Sequence, residues 1–508
     1  MGTANAQTDS EYAPCENYVN GCSIEAFFAE SVILVTGATG FLGKALLEKL
    51  LRSCPRLSTI FVLIRPKRGE TVEQRFKNLI ESNVFDRVRW EYPEALNKMQ
   101  PIKGDVSLVN LGLSIEDRNI LIEKVNIVFH SAATVRFNEP LKVAINLNTR
   151  GTDRMIELSR SMKNLISFIH VSTAYCNADK PEIKELVYTS KIKPTTVMEM
   201  CENLDDETLE IIEKKLVEKH PNTYTFTKNL AEQLLLTKGA DLPIAIVRPS
   251  IIGAASEEPF PGWVDNFFGV TGIMMAVSTG TLRSIMCDKT LIGDIVPVDY
   301  VVNTIICASW HSTTQRGKSI RVYNCTSGTI NPLRWGKFCH LVQQNALETP
   351  TTDVLWYPTV TLRTSKFMHF LESTALHFLP AYVVDTLLKL KGNEPMMLKQ
   401  TKRTDRAVKS AAFFATRQWN FQYNNMCELM KSVEASNDCE RFNVDISSLD
   451  WDAYMCSYML GIRKYLTNDT PETLGKARNR LSKLYWMHRF TQVISIFLLL
   501  TMIIRIGR

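Results

Sequence analysis

Val32-Ile33-Leu34-Val35-Thr36-Gly37-Ala38-Thr39-Gly40-Phe41-Leu42-Gly43-Lys44 decides how this chain folds. A β-branched run ends at Thr36-Gly37. Three glycines then fall at G-x-x-G-x-x-G spacing, and a helical pattern runs from Phe41 to Leu51. The order is strand, tight turn, helix. Glycines in that context let the backbone turn sharply and approach a pyrophosphate, whose charge faces the helix N-terminus. Gly37, Thr39, Gly40, Phe41, Leu42 and Gly43 are therefore the first candidate cofactor-binding residues.

Further apolar runs lie downstream at 59–64 (TIFVLI), 125–130 (VNIVFH), 165–171 and 243–247, with a candidate strand near 99–103, before Gly104-Asp105, and strand-like pieces at 294–298 and 320–324. Helical periodicity fills most intervals. Buried strands alternating with helices imply βαβ crossovers and a doubly wound, Rossmann-type parallel sheet covered on both faces. After about Trp335 the alternation stops, and residues 336–480 read mostly as helix.

The 508 residues, 45% hydrophobic and 22% charged, exclude a disordered, collagen-like or multi-span membrane chain. Twelve scattered cysteines, with no C-x-x-C and no Cys/His cluster at ligand spacing, read as reduced thiols; no metal site is expected. Residues 1–30 hold five acids and no Lys or Arg, unlike a signal or transit peptide. Asn324-Cys325-Thr326 fits a glycosylation sequon but reads as chance without an export signal.

The formal net charge is +6, from 59 basic and 53 acidic residues. Seven of those cations and one acid lie between Pro471 and Arg508, so the first 470 residues are balanced and no nucleic-acid partner is expected. The cations flank the 15 uncharged residues 490–504 (FTQVISIFLLLTMII). At about 1.5 Å per residue these span about 22 Å, against about 30 Å of hydrocarbon. Leu484–His488 and Ile506 extend the stretch if the flanking arginines snorkel, and Tyr485 and Trp486 suit an interface. Residues 481–508 are expected to be a C-terminal membrane anchor.

The second strand ends in Arg65-Pro66-Lys67-Arg68, with no acid before Glu70. An acid there would hold the ribose 2′-OH of NAD; Arg65 and Lys67 suit the 2′-phosphate of NADPH. Asp105 and Val106 follow the third strand, where Asp105 is placed for the adenine amine. Ser131, Ala132 and Ala133 follow the fourth, small enough for a cofactor to pass. Tyr224-x-x-x-Lys228 puts a phenol and an ammonium on one helix face. A nearby Lys is expected to lower the tyrosine pKa and make Tyr224 a usable proton donor. The pair lies about 50 residues beyond Ser172-Thr173, whose hydroxyls close the fifth strand.

These landmarks resemble the extended short-chain dehydrogenase/reductases and, more narrowly, the alcohol-forming fatty acyl-CoA reductases. The likeness rests on TGATGFLGK (36–44), LIRPKRG (63–69), KGDV (103–106), HSAATVRF (130–137), HVSTAY (170–175), YTFTK (224–228), VRPSII (247–252), EPFPGW (258–263) and DIVPVDYVVN (294–303). The helical region resembles that family's C-terminal male-sterility domain. The resemblance implies an N-terminal tail (1–30), an NADPH-binding domain (31–335), a helical domain (336–480) and the anchor. It implies reduction of long-chain acyl-CoA by two NADPH to a primary alcohol, CoA and two NADP+. Tyr224 would be the general acid and Lys228 would hold the nicotinamide ribose. Thr173, then Ser172, would bind the carbonyl, and Pro249 would line the cofactor. The catalytic body would face the cytosol from the endoplasmic reticulum or peroxisome.

A hydroxysteroid dehydrogenase or epimerase shares the first landmarks but lacks the helical appendix. A non-catalytic nucleotide-binding membrane protein would not need Tyr224 and Lys228. The apolar residues of 354–389 either line an acyl tunnel, dock on a membrane, or form the helical domain's core.

Overall fold

The computed structural model describes residues 23–314 and 319–506. Seven strands build one sheet: β1 (Val32–Thr36), β2 (Thr59–Ile64), β3 (Met99–Lys103), β4 (Ile127–His130), β5 (Ser167–Val171), β6 (Ile244–Pro249) and β7 (Arg321–Cys325). Their order is β7-β6-β5-β4-β1-β2-β3, parallel at every pairing. Asn324, the sequon residue, is buried in β7 and donates to the carbonyls of Ile183 and Gln422. The piece near 294–298 is instead a short strand, Ile295–Pro297, paired with Ile251–Gly253 outside the sheet.

Successive residues of a strand face opposite sides, and both sides here are apolar. Ile33 and Val35 pack with α1 (Phe41–Ser53) and with α3 (Val298–Thr314). Leu34, between them, packs on the other face with α2 (Thr223–Lys238) and the helix Arg150–Ser161. The EPFPGW turn is fastened to α1: Trp263, fully buried, stacks on Phe41 at 5.1 Å, and Lys44 pairs with Asp265 at 2.8 Å.

The alternation ends near 335, but packing does not. Asn420–Phe421 pairs with Glu182–Ile183, and Thr361–Arg363 pairs with Ser284–Met286. Phe442, Val444 and Ile446 lie in the same core as β1. The expected tail falls outside the described residues up to 22. From Ser23 the chain has already joined the body, because Ile24 and Phe28 are fully buried and the Ile24 N–H donates to Asp438 at 2.7 Å.

Three helices follow: α4 (Lys366–Ser373), α5 (Leu379–Leu390) and α6 (Met397–Ala415). The apolar residues of 367–390 are not the core of the helical region; Phe367, Phe370, Leu379 and Leu387 point outward. The last helix, α7, runs from Leu474 to Ile506. Among the described residues no helix is long and apolar enough to cross a membrane, so a transmembrane span is not supported. The physical reason is the short interval between Arg489 and Arg505.

Trp263 joins the EPFPGW turn to the start of α1. Trp263→Ala should destabilise the fold by about 3–5 kcal/mol, the usual cost of emptying so large a buried site. Urea denaturation with an unchanged midpoint would contradict this packing role.

Candidate active site

The sheet order reverses between β1 and β4, and ligands bind at such a switch point, outside the strands' carboxyl ends. The β1–α1 turn supplies a cradle there. Gly37 has φ +75°, and a Cβ on it would sit 2.7 Å from both the Ala132 nitrogen and Ser131 Oγ. Gly40 caps α1, and a Cβ on Gly43 would lie 2.3 Å from the Gly37 oxygen. Ser131 Oγ donates to the Thr36 carbonyl at 2.8 Å, and the Ala132 N–H to Thr36 Oγ1 at 3.2 Å. The loops after β1 and β4 are thus laced together. Ala133 is half-buried beside them. His130 bridges Thr36 Oγ1 (2.7 Å) and Thr152 Oγ1 (3.2 Å). Burial, aided by the Lys228 charge, pushes its pKa down to about 3, so the ring is neutral.

Arg65 and Lys67 are exposed at the end of β2, and Lys67 lies 3.9 Å from Glu70 across a tight turn. The sequence reading missed Arg75. Its guanidinium donates to Thr39 Oγ1 at 3.2 Å and to the Arg65 carbonyl, joining the glycine turn to the basic one. It stands eleven residues past β2 on the helix Val72–Ile80, and only that helix brings it back. Asp105 is held locally, accepting from the Ser107 N–H and hydroxyl at 2.8 Å each. Val106 is buried against Gly151, Leu42 is half-buried on the α1 side, and Pro249 is buried at the end of β6.

Tyr224 opens α2, capped by Asn222, whose side chain accepts from the Thr225 N–H at 2.9 Å. Its phenol pairs with the Thr173 hydroxyl, at the end of β5. Ser172 Oγ is buried without an oxygen or nitrogen partner among the described residues. Lys228 is buried one turn further along α2, and its ammonium donates to the Val171 carbonyl at 2.6 Å.

The expectation that Lys228 lowers the Tyr224 pKa is corrected here. Burial raises the phenol above its ordinary value, the Cys176 thiol adds to this, and only the Thr173 hydrogen bond opposes it. Lys228 spends its contact on Val171, and burial pulls its own pKa down to about 8 against the pull of Glu232. The phenol therefore stays protonated, as a proton donor must.

Two structural supports were also missed. Glu232, a turn beyond Lys228, forms a bidentate pair with Arg248 of β6 at 2.8 and 2.5 Å. Their side chains are 0% and 1% exposed, and Arg248 also donates to the carbonyls of Lys184 and Leu186. Asn148, in a π-turn at Ile145–Thr149, accepts from the Thr134 N–H at 2.8 Å and donates to Thr227 Oγ1 at 3.0 Å. It ties the loop after β4 to α2. Around the phenol, Phe137 stacks on Tyr224 at 6.2 Å and meets Phe414 of α6 at 5.7 Å. Phe414 lies almost 200 residues away in sequence, beyond the reach of local pattern.

Removing one member of the Arg248–Glu232 pair should cost about 3–5 kcal/mol, because it leaves a buried charge alone. Glu232→Ala should therefore lower the denaturation midpoint sharply, and replacing both with apolar residues, as in Arg248→Met/Glu232→Leu, should recover most of the loss. Equal losses in the single and double variants would overturn this account.

Residues 35–305 match a male sterility protein family with NAD-binding character, and residues 376–469 match a second male sterility protein family named Sterile. The chain is 40% identical to fatty acyl-CoA reductase 1 of Mus musculus over 462 residues, covering 91% of this chain and 90% of the relative. Fatty acyl-CoA reductase 2 of Mus musculus is 38% identical over 465 residues, covering 92% and 90%. Among solved structures, the terminal R domain of the myxalamid PKS-NRPS pathway superimposes with a TM-score of 0.57 at 18% identity, covering 87% of this chain and 93% of that one. The reductase domain of a nonribosomal peptide synthetase from Mycobacterium tuberculosis gives 0.56 at 17% identity, with the same coverage. These two show a shared fold. The matches along the sequence go further: this chain belongs to the fatty acyl-CoA reductase family.

Proposed function

We propose that the chain reduces long-chain fatty acyl-CoA to the primary fatty alcohol: acyl-CoA, two NADPH and two protons give alcohol, CoA and two NADP+. The observation that carries this reading is the Tyr224–Thr173 pair at the end of β5, beside the glycine cradle, in a chain of this family.

The cradle fits a dinucleotide, since side chains at Gly37 or Gly43 would collide with the loop after β4 and with the turn itself, and so push apart the tight strand–turn–helix a pyrophosphate is received on. The N-terminus of α1 and the turn amides receive the pyrophosphate. Arg75 and Arg65 stand where a 2′-phosphate is favoured over a bare hydroxyl. NADPH bound there supplies one hydride to the thioester carbon and one to the aldehyde carbon. Tyr224 and Thr173 hold the oxygen that turns negative in each half. Collapse of the first oxyanion breaks the C–S bond and expels the CoA thiolate, leaving the aldehyde. Tyr224 gives its proton to the second oxyanion, producing the alcohol. Lys228, charged, holds the ribose hydroxyls beside the phenol.

The distal half of α7 attaches the chain to the endoplasmic reticulum or peroxisomal membrane, with the body in the cytosol. Its exposed Phe490, Val493, Phe497 and Leu500, and the cations before them, support this. Fusing residues 481–508 to a soluble fluorescent reporter and imaging it tests this; a reporter that stays diffuse would refute it.

Incubation with long-chain acyl-CoA and NADPH should yield alcohol by gas chromatography. Tyr224→Phe should cut kcat/KM by about 10²–10⁴-fold; a variant that keeps its NADPH oxidation rate would remove Tyr224 from the chemistry. Arg75→Ala should raise KM for NADPH about tenfold and leave KM for NADH nearly unchanged, and a parallel rise in both would exclude contact with the 2′-phosphate. Since burial lowers the Lys228 pKa to about 8, the ammonium is lost as pH rises through that value. The free-enzyme kcat/KM should fall above about pH 8 with one proton, and Lys228→Arg should shift that fall to higher pH.

A further inference from the structure

Residues 366–390 form one rod: α4, a π-turn over Thr374–Phe378, and α5. Pro380, in the first turn of α5, has no N–H to give the Leu376 carbonyl, and Arg283 donates to that carbonyl instead. The rod's body-facing stripe is Ser373, His377, Ala381 and Asp385, one every four residues. These groups are satisfied inside: His377 Nε2 accepts from the Arg283 N–H at 2.8 Å, and Asp385 accepts the N–H groups of Met396, Met397 and Leu398.

The outer face carries Phe367 (68% exposed), Phe370 (64%), Leu379, Tyr382 and Leu387 (53%). A helix on a water-soluble body normally buries its apolar stripe and shows its polar one. This rod does the reverse along its whole length, and an exposed apolar surface of that extent marks an interaction site.

Charge identifies the occupant. Lys366 stands at one end of the rod and Lys389 and Lys391 at the other, all exposed. Residues 386–409 hold seven Lys or Arg against two acids, so a strongly basic segment lies inside the balanced body. On α6, Lys399, Lys402 and Arg403 are exposed. An apolar face rimmed by cations matches an anionic bilayer surface, with rings and aliphatic chains in the acyl boundary and ammonium groups among the phosphates. Position agrees. Tyr485 and His488 of α7 pack on Tyr357, and His488 also on Trp356. Arg283 stacks on that same Trp356 at 5.5 Å while holding Leu376. From Arg489 to Ser495 the side-chain hydrogen bonds of α7 stay within the helix. The rod therefore lies where α7 leaves the body.

We propose that the α4–α5 rod is a membrane contact in its own right, lying in the plane of an anionic phospholipid bilayer and independent of the distal half of α7. The proposal does not depend on the reductase reading, because it concerns where the body sits and not what it turns over.

The test uses the full chain with Ile496→Asp and Phe497→Asp, which make distal α7 polar. Co-sedimentation with phosphatidylcholine vesicles containing phosphatidylserine should still show binding, weaker in high salt and on pure phosphatidylcholine. Adding Phe367→Asp, Phe370→Asp and Leu387→Asp should weaken it by about tenfold or more, while the circular dichroism spectrum stays unchanged. Leu379→Asp with Leu390→Asp repeats the test should the triple variant fold poorly. Loss of all vesicle binding in the Ile496→Asp/Phe497→Asp chain would overturn the proposal. So would equal binding with and without the rod's acids. A dimer in sedimentation velocity that those acids dissociate would also overturn it, giving the face to a second copy of the chain.

Discussion

Between Gly37 and Gly43 there is no room for a carbon atom. A Cβ on Gly43 would lie 2.3 Å from the Gly37 oxygen, and one on Gly37 would meet the loop after β4 at 2.7 Å. This closeness sets α1 against β1 and joins the β1 and β4 loops across the switch point. Phe41, on the first turn of α1, then provides the surface on which Trp263 stacks. The cofactor cradle and the packing of the EPFPGW turn thus follow from one requirement for missing side chains.

The candidate catalytic groups, Tyr224 and Lys228, sit in a second constraint, burial. Burial pulls Lys228 from its ordinary 10.5 down to about 8, worth about 3 kcal/mol between its charged and neutral forms. A lysine whose pKa is lowered by folding opposes stability while charged. That penalty is full below about pH 8 and disappears as pH rises towards 10.5, so this group makes the fold more stable with rising pH. The binding role proposed for it needs the opposite, a charged ammonium. Glu232 moderates the conflict by favouring the charge, and Arg248 fixes Glu232. The neutral His130 and His170, pushed down by burial and by Lys228, add no competing positive charge.

The sheet was legible because β-branched runs bounded by glycine and proline report local preference directly. The run at 59–64 coincides with β2, whereas β3 (MQPIK) is marked in the sequence only by the Gly104-Asp105 turn that follows it. The Tyr224-x-x-x-Lys228 spacing and Thr173 were legible for the same reason, since helix period and strand ends are local. Arg75 and Phe414 were not, because the folding of distant segments carries them to the site. The sign of the Tyr224 shift was also out of reach. Spacing shows that Lys228 shares a face with the phenol, but not that its ammonium turns to the Val171 carbonyl or that burial dominates. The segment 367–390 was ambiguous because its apolar residues have helical period whichever way they face. Only the buried line of Ser373, His377, Ala381 and Asp385 gives the direction.

Net charge has the same weakness as composition: it sums over distances longer than those at which charges act. The +6 of the chain arises beyond residue 470, and the rest sums to zero. Yet the screening length at physiological salt is about 8 Å, so a surface responds only to nearby charges. The excess cations of 386–409 are offset by acids elsewhere in the sequence. A neutral body can therefore present a basic edge. Here that edge borders an outward apolar rod, and α6, which carries several of its cations, places Phe414 of its last turn against the Phe137 ring that stacks on Tyr224. One helix of 19 residues, about 28 Å long, joins the basic edge to the surroundings of the Tyr224 phenol.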